Sequence, residues 1–137
     1  MLLIDSNIFM YAAGADHPHK GPSVAFLRRL ARGELDAAVD AEVLQELLHR
    51  YRAIGRWAEG RQVHDRARRI VGVVIPVTAE TVDSARGLLD RYERLTARDA
   101  LHAAVIDLHG LEGIASYDRD FDVVEGLTRS EPPVEGR

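Results

Sequence analysis

The chain has 137 residues, of which 46% are apolar and 29% charged, the balance of one globular domain with enough apolar mass for a buried core. It has no cysteine, which excludes disulfides, thiol nucleophiles and thiolate metal sites together and leaves carboxylates and histidines as the strong metal ligands. The net charge of -4 argues against a wholly basic nucleic-acid binder.

The chain opens on Met1-Leu2-Leu3-Ile4-Asp5-Ser6-Asn7. Its apolar run does not alternate, which predicts a strand over 2–4 covered on both faces, as at the centre of a parallel sheet. Asp5 stands at the carboxyl end of that strand, where open α/β sheets bind ligands. Equally, Asp5 or Ser6 can cap the short helix expected over 8–13. Residues 14–22, bracketed by glycine and proline, read as a loop, in which His17 and His19 are metal ligands or simply exposed polar residues. Ser23 caps a helix running to 32, and Gly33 ends it.

A second short strand over 36–39 meets Asp40, a cap for a helix that turns Val43, Leu44, Leu47, Leu48 and Tyr51 inward. Glu46 borders that stripe, placed either to pair with Arg50 one turn on or to point toward the sheet's end. A basic helix over 57–70 follows, and the two helices together form an arm suited to gripping a partner. Seven arginines lie between 50 and 69 against Glu59 and Asp65, whereas five acids between 112 and 125 face Arg119 alone. The first stretch can attract phosphates or be plain solvated surface; the second can hold cations.

The β-branched run over 71–77, closed by Pro76, predicts a third strand, and Thr78 caps a helix through Val82, Ala85, Leu88, Leu89 and Tyr92. Next, Thr96 and Asp99 have the spacing of a capping box with Asp in place of Glu. Ala100, Ala103 and Ala104 let the helix they start lie close to the sheet. His102 reads as a packed or surface helix residue. Gly110 ends this helix, and Gly113 opens a strand over 114–117 followed by Asp118, Asp120 and Asp122.

Strand and helix alternate to the end, which predicts a three-layer α/β/α sandwich with a mostly parallel central sheet. Right-handed crossovers put the strand ends carrying Asp5 and Asp118 at one edge, where the helix starts carrying Glu46 and Asp99 also arise. Four carboxylates at one edge repel unless a cation neutralises them. Oxygen ligands without cysteine point to Mg²⁺ or Mn²⁺.

Four segments, Leu2-Leu3-Ile4-Asp5-Ser6-Asn7, Val43-Leu44-Gln45-Glu46-Leu47, Arg98-Asp99-Ala100-Leu101-His102-Ala103-Ala104 and Ser116-Tyr117-Asp118-Arg119-Asp120-Phe121, resemble in order and spacing the PIN-domain ribonucleases. Among these they resemble the VapC toxins of bacterial toxin–antitoxin pairs. The likeness runs over 1–129, so a PIN-like nuclease domain over 1–129 and a flexible tail over 130–137 are expected. The resemblance implies catalytic carboxylates at Asp5, Glu46, Asp99 and Asp118, with Asp5, Asp99 and Asp118 as metal ligands. Ser6 and Asn7 support them, and Asp120 and Asp122 are secondary candidates. It further implies a Mg²⁺- or Mn²⁺-dependent endoribonuclease, an RNA substrate, a small antitoxin protein as partner and a homodimer.

Two positions depart from the pattern: Asp40 stands where a hydroxyl residue is common, and Ser116 where threonine is common. Neither removes a carboxylate. A cytoplasmic location is expected, because no run approaches the ~18 apolar residues of a membrane span and the start lacks a basic stretch and a cleavage site. A phosphatase-like hydrolase of the haloacid-dehalogenase kind needs a second Asp two residues after the first, and a lysine. Here position 7 is Asn, and the only lysine, Lys20, lies in an expected loop. A receiver domain lacks the same lysine, and Lys20-Gly21-Pro22 is no phosphate loop. The other reading is a non-catalytic RNA- or protein-binding module whose acids only cap helices.

Overall fold

In the computed structural model, which describes residues 1–134, the elements run β1 (Leu2–Ile4), α1 (Ser6–Ala13), α2 (Lys20–Ala31), β2 (Ala37–Asp40), α3 (Ala41–Ala53) and α4 (Trp57–Ile70). They continue with β3 (Val74–Ile75), α5 (Ala79–Arg91), α6 (Ala97–His109), β4 (Gly113–Ala115), a 3-10 turn over Arg119–Val123 and β5 (Arg129–Ser130). All pairings are parallel, and the strand order is β3-β2-β1-β4-β5.

Successive side chains of a strand point to opposite faces, and here both faces are covered. Ile4, Ala37, Val39 and Ala115 pack with Ile8, Phe9, Phe26, Val43 and Leu47 beneath α1 to α4. Leu3, Ala38, Ile75 and Ile114 pack instead with Val105, Ile106 and Phe121. Where α5 meets α6, Ala85, Leu95, Ala100, Ala104 and Val124 extend this second layer. The unalternating apolar run of β1 is thus the signature of a strand between two helical layers, and the three-layer sandwich expected from the sequence is the observed one.

Local chemistry sets most boundaries. Asp40 caps α3 by accepting the Val43 N–H at 2.9 Å. Thr78 and Thr81 form a reciprocal capping box at α5, and Gly110, at φ 61°, closes α6 in the left-handed conformation. Four expectations need correction. The helix expected to start after Ser23 starts at Lys20; Pro22 is tolerated because the N–H groups of a first turn have no intrahelical partner, and Ser23 is buried inside the helix rather than capping it. The third strand shrinks to Val74–Ile75 at a sheet edge, with Val73 exposed and Pro76 unable to donate to a ladder. The strand expected over 114–117 ends at Ala115. Finally, β5 went unforeseen, since two polar residues carry no strand pattern. It straddles the boundary expected at 129, and residues 135–137 of the expected tail lie outside the described residues. Among the described residues no helix is long and apolar enough to cross a membrane.

Candidate active site

From β1 the chain fills one side of the sheet with β2 and β3, then returns to the other side with β4 and β5. The segments leaving β1 and β4 therefore diverge, and a crevice opens outside their carboxyl ends. Asp5 lies there, 5% exposed. Both of its oxygens accept hydrogen bonds. Oδ1 caps α1 by accepting the Ser6 N–H at 2.8 Å, while Oδ2 accepts the Ser116 hydroxyl at 2.6 Å and the Asn7 amide at 3.3 Å. Ser116, in the segment leaving β4, also receives the Asp118 N–H at 3.0 Å, and the Asn7 amide reaches its hydroxyl at 3.1 Å. Asn7 and Ser116 thus tie the ends of β1 and β4 together around one carboxylate.

Glu46 reaches the crevice from α3. Its Oε2 accepts the Ser6 hydroxyl at 2.6 Å, and its Oε1 lies 2.7 Å from His102 Nε2. No ion pair with Arg50 forms; the carboxylate is turned to the sheet end. Asp99 stands in the first turn of α6, where its N–H is accepted by Thr96 Oγ1 at 3.2 Å. Asp118 accepts the Asp120 N–H at 2.9 Å. Asp5, Glu46, Asp99, Asp118 and Asp120 line one cavity of about 240 Å³, with Arg50 and Arg98 on its wall. Ligand atoms of Asp99, Asp118 and Asp120 lie within 4.8 Å of one another, as do those of Asp5, Glu46 and His102. All four main carboxylates expected from the sequence, together with Ser6 and Asn7, therefore meet in one place.

Asp122 does not join them. Arg129 Nε and Nη2 donate to its two oxygens at 2.8 and 3.3 Å, which holds its carboxyl below the usual range. The histidines of the 14–22 segment do not line this cavity either: the His17 and His19 rings pack against Tyr11, and His19 stacks on Tyr117 at 3.7 Å.

The electrostatics record the crowding. Burial, then the Asp118 and Asp5 charges, push the Asp99 carboxyl up to about 6. Burial likewise raises Asp5, opposed chiefly by His102 and by the Ser116 hydrogen bond. Glu46 is held below its ordinary value: burial opposes its charge, but the His102 hydrogen bond and charge and the Ser6 hydrogen bond prevail. For His102 burial disfavours the charge, yet its bonds to Asp40 and Glu46 raise it well above the ordinary histidine range. Sequence reasoning gave no site role to His102, Asp40, Arg98 or Arg50. The signals were indirect: Asp40 departed from the family pattern, Arg50 stands one turn from Glu46, and Arg98 and His102 flank Asp99 in one motif.

The profile of the PIN domain family matches residues 2–127. Ribonuclease VapC13 of Mycobacterium tuberculosis is 43% identical over 129 residues, covering 94% of this chain and 98% of that protein. Ribonuclease VapC23 of the same species is 36% identical over 121 residues, covering 86% and 93%. Among solved structures, Mycobacterium tuberculosis VapC20, described as a sarcin-ricin loop cleaving toxin, matches with a TM-score of 0.74 at 19% identity, covering 93% and 97%. VapBC2 from Rickettsia felis, bound to a DNA fragment from its promoter, matches with a TM-score of 0.74 at 17% identity, covering 95% and 97%. At those identities the structural likeness is one of fold. On the family match and the 43% identity to a curated relative over nearly its whole length, the chain belongs to the PIN-domain family, in its VapC group.

Proposed function

We propose that this chain is a divalent-metal-dependent endoribonuclease, the toxin of a toxin–antitoxin pair. The observation that carries the reading is the meeting of Asp5, Glu46, Asp99 and Asp118 in one crevice at the ends of β1 and β4, in a chain whose curated relatives are named ribonucleases. The donor set suits a hard cation. It is made of carboxylate oxygens, because both ring nitrogens of His102 are already engaged by Asp40 and Glu46, and an Asp99 carboxyl pushed up to about 6 marks negative charge awaiting neutralisation.

Asp5, Asp99 and Asp118 are the residues to hold Mg²⁺ or Mn²⁺, with Glu46 completing the set directly or through water. When bound, the ion supplies Lewis-acid polarisation of the phosphoryl group and acidifies the attacking water. The chain's own residues do the rest. Ser116 and Asn7 hold the Asp5 carboxylate in place at the end of β1. Arg50 and Arg98 bring positive charge to the wall of an otherwise acidic cavity, where a phosphodiester needs it. Glu46, kept ionised by its donors, orients water for in-line attack, and no side-chain nucleophile is required.

The partner reading rests on a separate surface. An apolar cavity of about 310 Å³ between α1, α2 and α4 is floored by Phe9, Leu27 and Val63 and edged by Arg28, Arg66 and Arg69, which suits an amphipathic antitoxin segment carrying acids. Ile54 and Trp57 stand exposed where α3 turns into α4, a helical surface on which a homodimer can build. Such a protein acts in the cytoplasm, where its RNA is.

The test is RNA cleavage by the purified chain in Mg²⁺, Mn²⁺ and excess EDTA. Metal-dependent cleavage that Asp5→Asn and Asp99→Asn each abolish is the expected result. Cleavage untouched by EDTA, or retained in both variants, overturns the assignment. A binding module without catalysis gives RNA retention with no cleavage under any ion.

A further inference from the structure

We propose that His102, buttressed by Asp40, is a positioning residue that fixes the Glu46 carboxylate in the crevice and keeps it from swinging to Arg50. The proposal rests on the nuclease reading for its consequence in catalysis, but its geometry stands apart from it. His102 lies on α6, three residues beyond Asp99, and is 0% exposed, as is Asp40 at the end of β2. Its imidazole bridges two acids from different elements: Nδ1 lies 2.7 Å from Asp40 Oδ2 and Nε2 lies 2.7 Å from Glu46 Oε1.

The ring faces an acid with each of its two nitrogens, so the two contacts together fix its orientation. Asp40 has a purely structural use for one oxygen, which caps α3 through the Val43 N–H; the other is committed to the imidazole. An acid at position 40 serves both ends: a serine or threonine caps equally well but is too short to brace a ring as well.

Glu46 is held from two sides, by Ser6 of α1 on Oε2 at 2.6 Å and by His102 of α6 on Oε1 at 2.7 Å. Its alternative is local. Arg50 lies one turn further along the same helix, the spacing at which acid and base pair on an isolated helix, and it lines the same cavity. Removal of the imidazole donor frees Glu46 for that pairing and takes its oxygen out of the reaction geometry.

Asparagine and glutamine at position 102 separate positioning from mere packing. The asparagine amide nitrogen overlays Nδ1 and still serves Asp40; the glutamine amide nitrogen overlays Nε2 and still serves Glu46. His102→Asn should lower kcat by ~10–100-fold, the usual cost of losing a supporting contact behind a catalytic group, with KM for RNA little changed. His102→Gln should retain most of kcat. Thermal stability should run the other way, because His102→Gln strands the fully buried Asp40 while His102→Asn strands Glu46, whose side chain keeps 12% exposure.

Crystal structures of the two metal-free variants give a readout independent of activity: Glu46 turned to Arg50 in His102→Asn, and in its present place in His102→Gln. Asp40→Ser keeps the cap of α3, removes the brace, and serves if His102→Asn does not fold; its kcat should fall with KM unchanged. Activities that follow the stability order, or Glu46 unmoved in His102→Asn, overturn the proposal. If the wild-type protein cleaves no RNA, the nuclease reading fails, while the Glu46 position in the variant crystals still decides the positioning role.

Discussion

Asp99 shows how the crevice stores repulsion. Its carboxyl is raised from 3.8 to about 6, first by burial and then by Asp118 and Asp5, so the folded state binds its proton more tightly than the unfolded state does. Stability from that proton is complete below about pH 4 and is lost as pH rises through about 6. Accordingly, Asp99→Asn should raise the melting temperature in EDTA at pH 7.5 and change it little at pH 4, read by scanning calorimetry. A constant shift at both values would assign the effect to the cap instead. Asp5→Asn should also fold, since asparagine caps a helix about as well as aspartate.

The three acids after β4 should separate in the same way. Asp118→Asn should reduce cleavage by at least ~100-fold, the scale of a lost transition-state contact. Asp120→Asn, which also lines the cavity, should cost about tenfold by the weaker end of the same reasoning and recover partly with added Mn²⁺. Asp122→Asn breaks the pair with Arg129 and should loosen β5 while leaving single-turnover cleavage nearly intact.

At the scale of elements, close approach matters as much as charge. Gly60 on α4 lies directly against Tyr51 of α3, and a Cβ there would meet the tyrosine Cβ and ring. Gly60→Ala should therefore destabilise by ~1–3 kcal/mol, the range of overpacking in a filled core, despite the better helix propensity of alanine. A rise in the denaturation midpoint would show that α4 can move away freely. The small residues of α6 act alike: Ala100 and Ala104 are fully buried and let the helix approach closely enough for Asp99 and His102 to reach the strand ends.

Over the whole molecule, the parallel sheet brings Asp5, Glu46, Asp99 and Asp118, distant in the chain, to one crevice, and under the proposed function a cation would offset their repulsion. Mn²⁺ at about 100 times its dissociation constant should add ~2.7 kcal/mol to wild-type stability by mass action, and much less to Asp5→Asn. Equal stabilisation of both proteins would locate the ion elsewhere. Light scattering after size exclusion should report a dimer, and Trp57→Glu should weaken it without loss of the fold. A monomer at high concentration would remove that part of the reading.

Much of this was legible in one dimension because it is local. An unalternating apolar run announced β1, apolar periodicity announced the inward stripe of α3, and cap chemistry placed the starts at Asp40, Thr78 and Thr96 within a residue. The short extent of β3 and the existence of β5 were not legible, since an edge strand of two residues is defined by its neighbour's free backbone groups rather than by its own side chains. The carboxyl-end rule for parallel sheets made Asp5 and Asp118 candidates before any contact was known.

What only tertiary structure decided is which acids are spent on which partners. Asp122, a secondary candidate behind Asp118, is claimed by Arg129. His102 has the sequence of a core helix residue, and no local pattern marks a histidine that bridges Asp40, 62 residues away, and Glu46, 56 residues away. A carboxylate's local sequence determines whether it can cap a helix. Its remaining oxygen answers to whatever donor the fold brings within about 3 Å, and that donor here comes from another layer of the sheet.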